Sequence, residues 1–141
     1  MIRKQRAQAI VELAVILPAF LLIALGMFDL GRAFYFQETI TNAARDGARF
    51  GAITKNVTTG EIETRAVEEV GSLTGVSATA CVSHPPIHTT CPVNAVMGNY
   101  VQVETEYSFD LITPFVQAVV GVSSIPLTAT ATQPRATGFS N

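Results

Sequence analysis

Residues 81–91 read Cys-Val-Ser-His-Pro-Pro-Ile-His-Thr-Thr-Cys. Cys81, His84, His88 and Cys91 follow a C-x2-H-x3-H-x2-C spacing, a set of sulfur and imidazole donors suited to a tetrahedral zinc ion. The competing chemistry is a Cys81–Cys91 disulfide closing a short surface loop. Pro85-Pro86 stiffen the middle of that loop and work against both imidazoles folding inward. An exported chain meets oxidising conditions, under which paired cysteines become cystine. A loop this short then adds roughly 2–3 kcal/mol through chain entropy. The expectation is a disulfide, with no metal and no other cofactor. Zinc held by the same four residues is the alternative.

The other side chains offer little chemistry. No Ser, His and Asp fall in a nucleophile-elbow context, and no glycine-rich phosphate loop follows a predicted strand. Glu104 and Glu106 share a strand face and read as solvated. An enzyme is not expected. Charge argues against nucleic-acid binding: residues 7–141 hold six basic against eleven acidic side chains, net −5, with no Lys/Arg cluster beyond the N-terminus. The Asn56-Val-Thr58 sequon is short enough to arise by chance and carries no weight.

One carboxylate sits where carboxylates are costly. Glu12 lies within AQAIVELAVILPAFLLIALGMF, and no charge follows it until Asp29. At mid-membrane an acid costs at least about 2.5 kcal/mol. If the Ala7–Gln8 bond were cut, Glu12 would be the fifth residue of the mature chain. The new ammonium at Gln8 of a staggered neighbour could then meet its carboxylate, making a tolerable pair of two charges too costly to bury singly. Alternatively, Glu12 sits at headgroup level, about one helical turn past Arg6.

These residues need a long helix to position them. From Arg6 to Asp29 a helix covers about 33 Å, one hydrocarbon thickness. Arg3, Lys4 and Arg6 precede it, which puts the N-terminus in the cytoplasm and exports the rest. A secretory signal would need a small-x-small cleavage site after the apolar core; here the core continues into bulky Asp29-Leu-Gly-Arg-Ala-Phe-Tyr-Phe. Pro18 lies inside the run and predicts a kink or a melted turn near Val15–Pro18. Beyond Asp29, Phe36, Ile40, Ala43, Gly47 and Phe50 form an apolar stripe, and Ala43, Gly47 and Gly51 a small-residue track. Asp29–Arg32 and Asp46–Arg49 read as pairs on the wetter side.

The remaining chain reads as a small head. Thr58-Thr-Gly-Glu61 is a capping box opening a second helix. Ile62, Ala66, Val70 and Leu73 form its buried face, Glu61 pairs with Arg65, and Gly71 or Gly75 ends it. Strands are expected at Val76–Val82, Tyr100–Phe109 and Ile125–Thr132. In the second, Val101, Val103, Thr105, Tyr107 and Phe109 alternate with Gln102, Glu104, Glu106 and Ser108. In the third, Ile125, Leu127, Ala129 and Ala131 face inward. Thr113-Pro114 starts a short helix reaching about Val120. The fold class is α+β: a long N-terminal helix packed on an antiparallel sheet of about three strands, with one or two short helices. The divisions are a basic leader 1–7, a helix 8–54 with its apolar segment at 9–28, and an extracytoplasmic head 55–141.

AQAIVELAVILPAFLLIALGMFDLGRAFY together with TNAARDGARFGA resembles the TadE-like family, pseudopilins of the tight-adherence (Tad) branch of the type IV filament superfamily. The residues carrying the resemblance are Gln8, Glu12, Pro18, Asp29, Gly31, Arg32 and the 42–52 block. One departure is Ala7, which stands where the family usually has Gly before the cut. The resemblance implies cytoplasmic processing by a prepilin peptidase between Ala7 and Gln8, with Glu12 and Pro18 serving assembly. Implied partners are other pilin subunits, an inner-membrane platform and an assembly ATPase, with membrane lipid as the partner before assembly. Implied locations are the inner membrane, then an extracellular pilus. The rival is a permanently anchored extracytoplasmic protein that binds a metal or ligand through the Cys81–Cys91 loop.

Overall fold

The computed structural model describes residues 2–71, 73–83 and 100–135. The elements run α1 (Ile2–Ile53), α2 (Thr59–Glu69), β1 (Val76–Ser83), β2 (Tyr100–Asp110), α3 (Pro114–Val120) and β3 (Ser124–Pro134). This is the expected α+β arrangement, with strand order β1-β2-β3 in one antiparallel sheet. Helix α1 runs through Pro18 without a break, so the melted turn expected near Val15–Pro18 is not there. The missing N–H removes one rung, and the rungs on either side hold the helix together.

The chain falls into two compact units. One comprises residues 35–109 and 126–141, the other residues 1–34 and 110–125. The core of the first unit gathers Ala48 and Ala52 from α1, Ile62 and Ala66 from α2, Ala80 and Val82 from β1, and Val101 and Val103 from β2. The small-residue track on α1 explains how the two helices come so close. A Cβ added at Gly47 would lie 2.8 Å from the Ala66 Cβ, and one at Gly51 would lie 2.6 Å from Ile62 Cδ1 and 2.9 Å from Val101 Cγ1. Above this, Phe36 packs its ring at 5.4 Å from Tyr107 and 5.6 Å from Phe109. The buried Thr105 hydroxyl donates to the Ile40 carbonyl at 2.9 Å, and Gln37 Nε2 donates to the Thr128 carbonyl at 2.9 Å. Sheet and helix are thus joined by directional bonds as well as packing.

Helix α2 begins as its sequence dictates. The Thr58 hydroxyl accepts from the Glu61 N–H, and the Glu61 carboxylate accepts from the Thr58 N–H at 2.8 Å. Its buried residues are Ile62 and Ala66, with Val70 buried at the cap and Leu73 half-buried. The expected Glu61–Arg65 pair does not form, because the cap already holds the Glu61 carboxylate. Arg65 instead meets Asp46 on α1 at 2.8 Å and Glu69 at 3.9 Å, which also replaces the expected Asp46–Arg49 pair. Packing α2 against α1 brings a partner from another helix closer than the neighbour one turn away.

In β2 the alternation breaks at Gln102, which is buried and lies opposite Cys81 in the register with β1, and Glu104, read as solvated, is half-buried. Glu63 on α2 accepts from the Ala80 N–H at 2.9 Å, fastening α2 to β1. In β3 Ala129 is buried and Leu127 and Ala131 are half-buried, whereas Ile125, placed inward by the alternation, is exposed.

Candidate assembly segment

In the unit formed by residues 1–34 and 110–125, the apolar run is bare. The large apolar side chains from Ile10, 67% exposed, to Phe28, 63% exposed, lie open along the helix, with Leu22 half-buried. Each such side chain left in water forgoes about 1.5–3 kcal/mol of burial. A continuous run of them is far beyond the scattered exposure normal for a soluble surface. The helix is long and apolar enough to cross a membrane. Within the run, Gln8 Nε2 donates to Glu12 Oε1 at 3.2 Å, an exposed contact one turn apart. Gln8, Glu12 and Pro18 therefore share one helical stretch, and Ala7 adjoins it in sequence. The Glu12 carboxylate is open to an incoming donor.

The run ends at a different kind of acid. Asp29 was expected on the wetter side, yet it is 2% exposed. Its Oδ1 lies 3.4 Å from Arg32 Nη1, the expected pair. Its Oδ2 accepts from the Thr113 N–H at 3.2 Å, a bond reaching 84 residues along the chain. The Thr113 side chain makes no cap bond to α3, so Asp29 holds the segment leading into that helix through its backbone. The signal was faint but present: the first acid after an uncharged run, together with a Thr-Pro pair whose amide needs an acceptor.

Cys81 is buried on β1, and among the described residues no cysteine is free. His84, His88 and Cys91 lie outside the described residues. Among the described residues, no group of three or more His, Cys, Asp or Glu side chains is placed to hold a metal ion.

Helix α1 bares an apolar run, and its later residues pack on a small antiparallel sheet in an α+β arrangement. The family model described as TadE-like protein matches residues 7–49, and over that segment the chain is similar to the family. The matched residues run from Ala7 through Gln8, Glu12, Pro18 and Asp29 to Arg49, about the first third of the chain. The family is structural and pilus-associated rather than enzymatic. No curated protein and no solved structure matches the chain.

Proposed function

We propose that this chain is a pilin-like subunit that inserts in the inner membrane and then assembles, through residues about 9–28, into a Tad or type IV-like pilus. The carrying observation is the bare run itself, which holds a single open carboxylate at Glu12. Lipid covers such a surface before assembly, and the equivalent helices of neighbouring subunits cover it afterwards. Arg3, Lys4 and Arg6 keep the N-terminus cytoplasmic. A prepilin peptidase cuts between Ala7 and Gln8, and the freed ammonium of one subunit pairs with Glu12 of the next. In dry surroundings, neither charge is tolerable without the other. A platform protein and an ATPase supply the extraction from lipid. In this reading, Cys81 and Cys91 form a disulfide in the exported part of the chain.

The test is Glu12→Ala in the full chain, read in two fractions. Membrane insertion should persist while the chain disappears from material sheared off the cell surface. Intact mass of that material should lack Met1–Ala7. Unchanged filaments in the variant, or a retained leader in the filament fraction, would overturn the assembly mechanism and favour a permanent anchor.

A further inference from the structure

We propose that residues 112–122, with α3 at their centre, form a foot that rests in the lipid headgroup layer at the Asp29 end of the apolar run. The ligand is a phospholipid surface. This rests on the membrane reading above and adds a second lipid contact made by a different part of the chain.

Three observations carry it. First, no charged side chain occurs between Asp110 and Arg135, a gap of 24 residues. Second, this loop leaves its apolar side chains uncovered: Ile112 is 62% exposed, Val119 67%, Val120 54% and Val122 45%. The base of the loop is closed by the Leu111 N–H donating to the Ser123 carbonyl at 3.0 Å and by Gln117 Nε2 donating to the Leu111 carbonyl, so these side chains belong to a shaped loop. Third, the loop is fixed at one level of the helix. The Thr113 N–H bonds to Asp29, the residue immediately after the run's last apolar side chain, Phe28.

Where the bilayer's hydrocarbon ends along α1, the foot begins. The headgroup layer suits a short uncharged helix with exposed valines and polar Gln and Ser neighbours, because its apolar side chains enter the acyl boundary while its polar groups stay wet. Before assembly the bare run lies in lipid, and the patch continuous with it meets the same bilayer at its headgroup level.

The chain has no tryptophan, so one can be introduced as the sole reporter. The full chain with Val119→Trp, and separately with Val122→Trp, is placed in phospholipid vesicles brominated either near the headgroup or near the chain ends. Phe20→Trp in the apolar run and Ile53→Trp at the end of α1 serve as references. The expected result is blue-shifted emission from Val119→Trp and Val122→Trp, strongly quenched by shallow bromines and weakly by deep ones. Phe20→Trp should be quenched by deep bromines, and Ile53→Trp by neither. If Phe20→Trp is quenched while both valine-site reporters emit as in water, the foot is refuted and the membrane reading stands. Blue-shifted valine-site emission that bromines do not quench refutes it too, because protein rather than lipid then covers the patch. An unquenched Phe20→Trp removes the membrane reading and the foot together.

Discussion

Gly47 and Gly31 sit on the same helix and have opposite surroundings. A Cβ at Gly47 would press on the Ala66 Cβ at 2.8 Å, and neither group has a rotatable end that could swing away. A Cβ at Gly31 meets nothing within 4 Å. Alanine gains up to about 1 kcal/mol of helix propensity over glycine. Overpacking costs about 1–3 kcal/mol. In detergent-solubilised full chain, Gly47→Ala should therefore lower stability and Gly31→Ala should leave it unchanged or raise it. Denaturant midpoints for the two variants check this, and a stabilised Gly47→Ala would mean that α1 and α2 are not in close contact. A second residue-scale effect depends on pH. Backbone and hydroxyl hydrogen bonds from Thr58 hold the Glu61 carboxyl below its usual range. A depressed folded pKa stabilises the fold above the ordinary glutamate pKa, and that contribution fades as pH falls through the folded value. Glu61→Gln should therefore narrow the difference in melting temperature between neutral and acidic solution. A variant whose acid sensitivity equals that of the parent would remove Glu61 from the account.

At the scale of elements, Asp29 holds a segment 84 residues away by a charge-assisted bond. Asp29→Ala takes the acceptor from a buried amide, at about 1–3 kcal/mol. Asp29→Asn keeps an oxygen in place. The Thr113 amide should exchange with solvent much faster in the alanine variant and only slightly faster in the asparagine variant. Equal exchange in all three chains would show that the bond does not hold the loop. The elements themselves were largely legible. The reciprocal Thr58–Glu61 cap, the Thr113-Pro114 start and the alternation in β2 are local signals, and the observed boundaries fall within about two residues of those read from them. The pairings between elements were not legible in the same way. Arg65 takes Asp46 and Glu63 takes the Ala80 amide because α2 lies against α1 and β1. The burial of Asp29 likewise depends on a loop 84 residues away. Gln102 follows the rule for an outward strand position, yet it is buried opposite Cys81. Sequence spacing describes a chain's neighbours along one helix or strand, and these four residues take their partners from other elements.

For the whole molecule, the compartment reached by the head decides the chemistry of its two cysteines. Exported and oxidised, Cys81 and Cys91 should show no reactive thiol when the purified chain is denatured without reductant. Two reactive thiols would remove the disulfide and return zinc to consideration. The apolar run of the assembly segment was visible in sequence because hydrophobicity is a summed property that needs no partner. What would cover that run was not visible, since hydrophobicity is non-directional and names no partner.

Pro18 has a mechanical consequence. A proline at that position leaves the Ala14 carbonyl without its usual donor one turn ahead, in the middle of the greasiest part of α1. Under an axial pull this is the first place where the rod can lengthen, because one fewer bond resists the stretch there. A fibre bundling many such rods would contain a ring of these compliant rungs at every level, and its extensibility would be set by how well neighbouring chains or trapped water occupy the vacant acceptors.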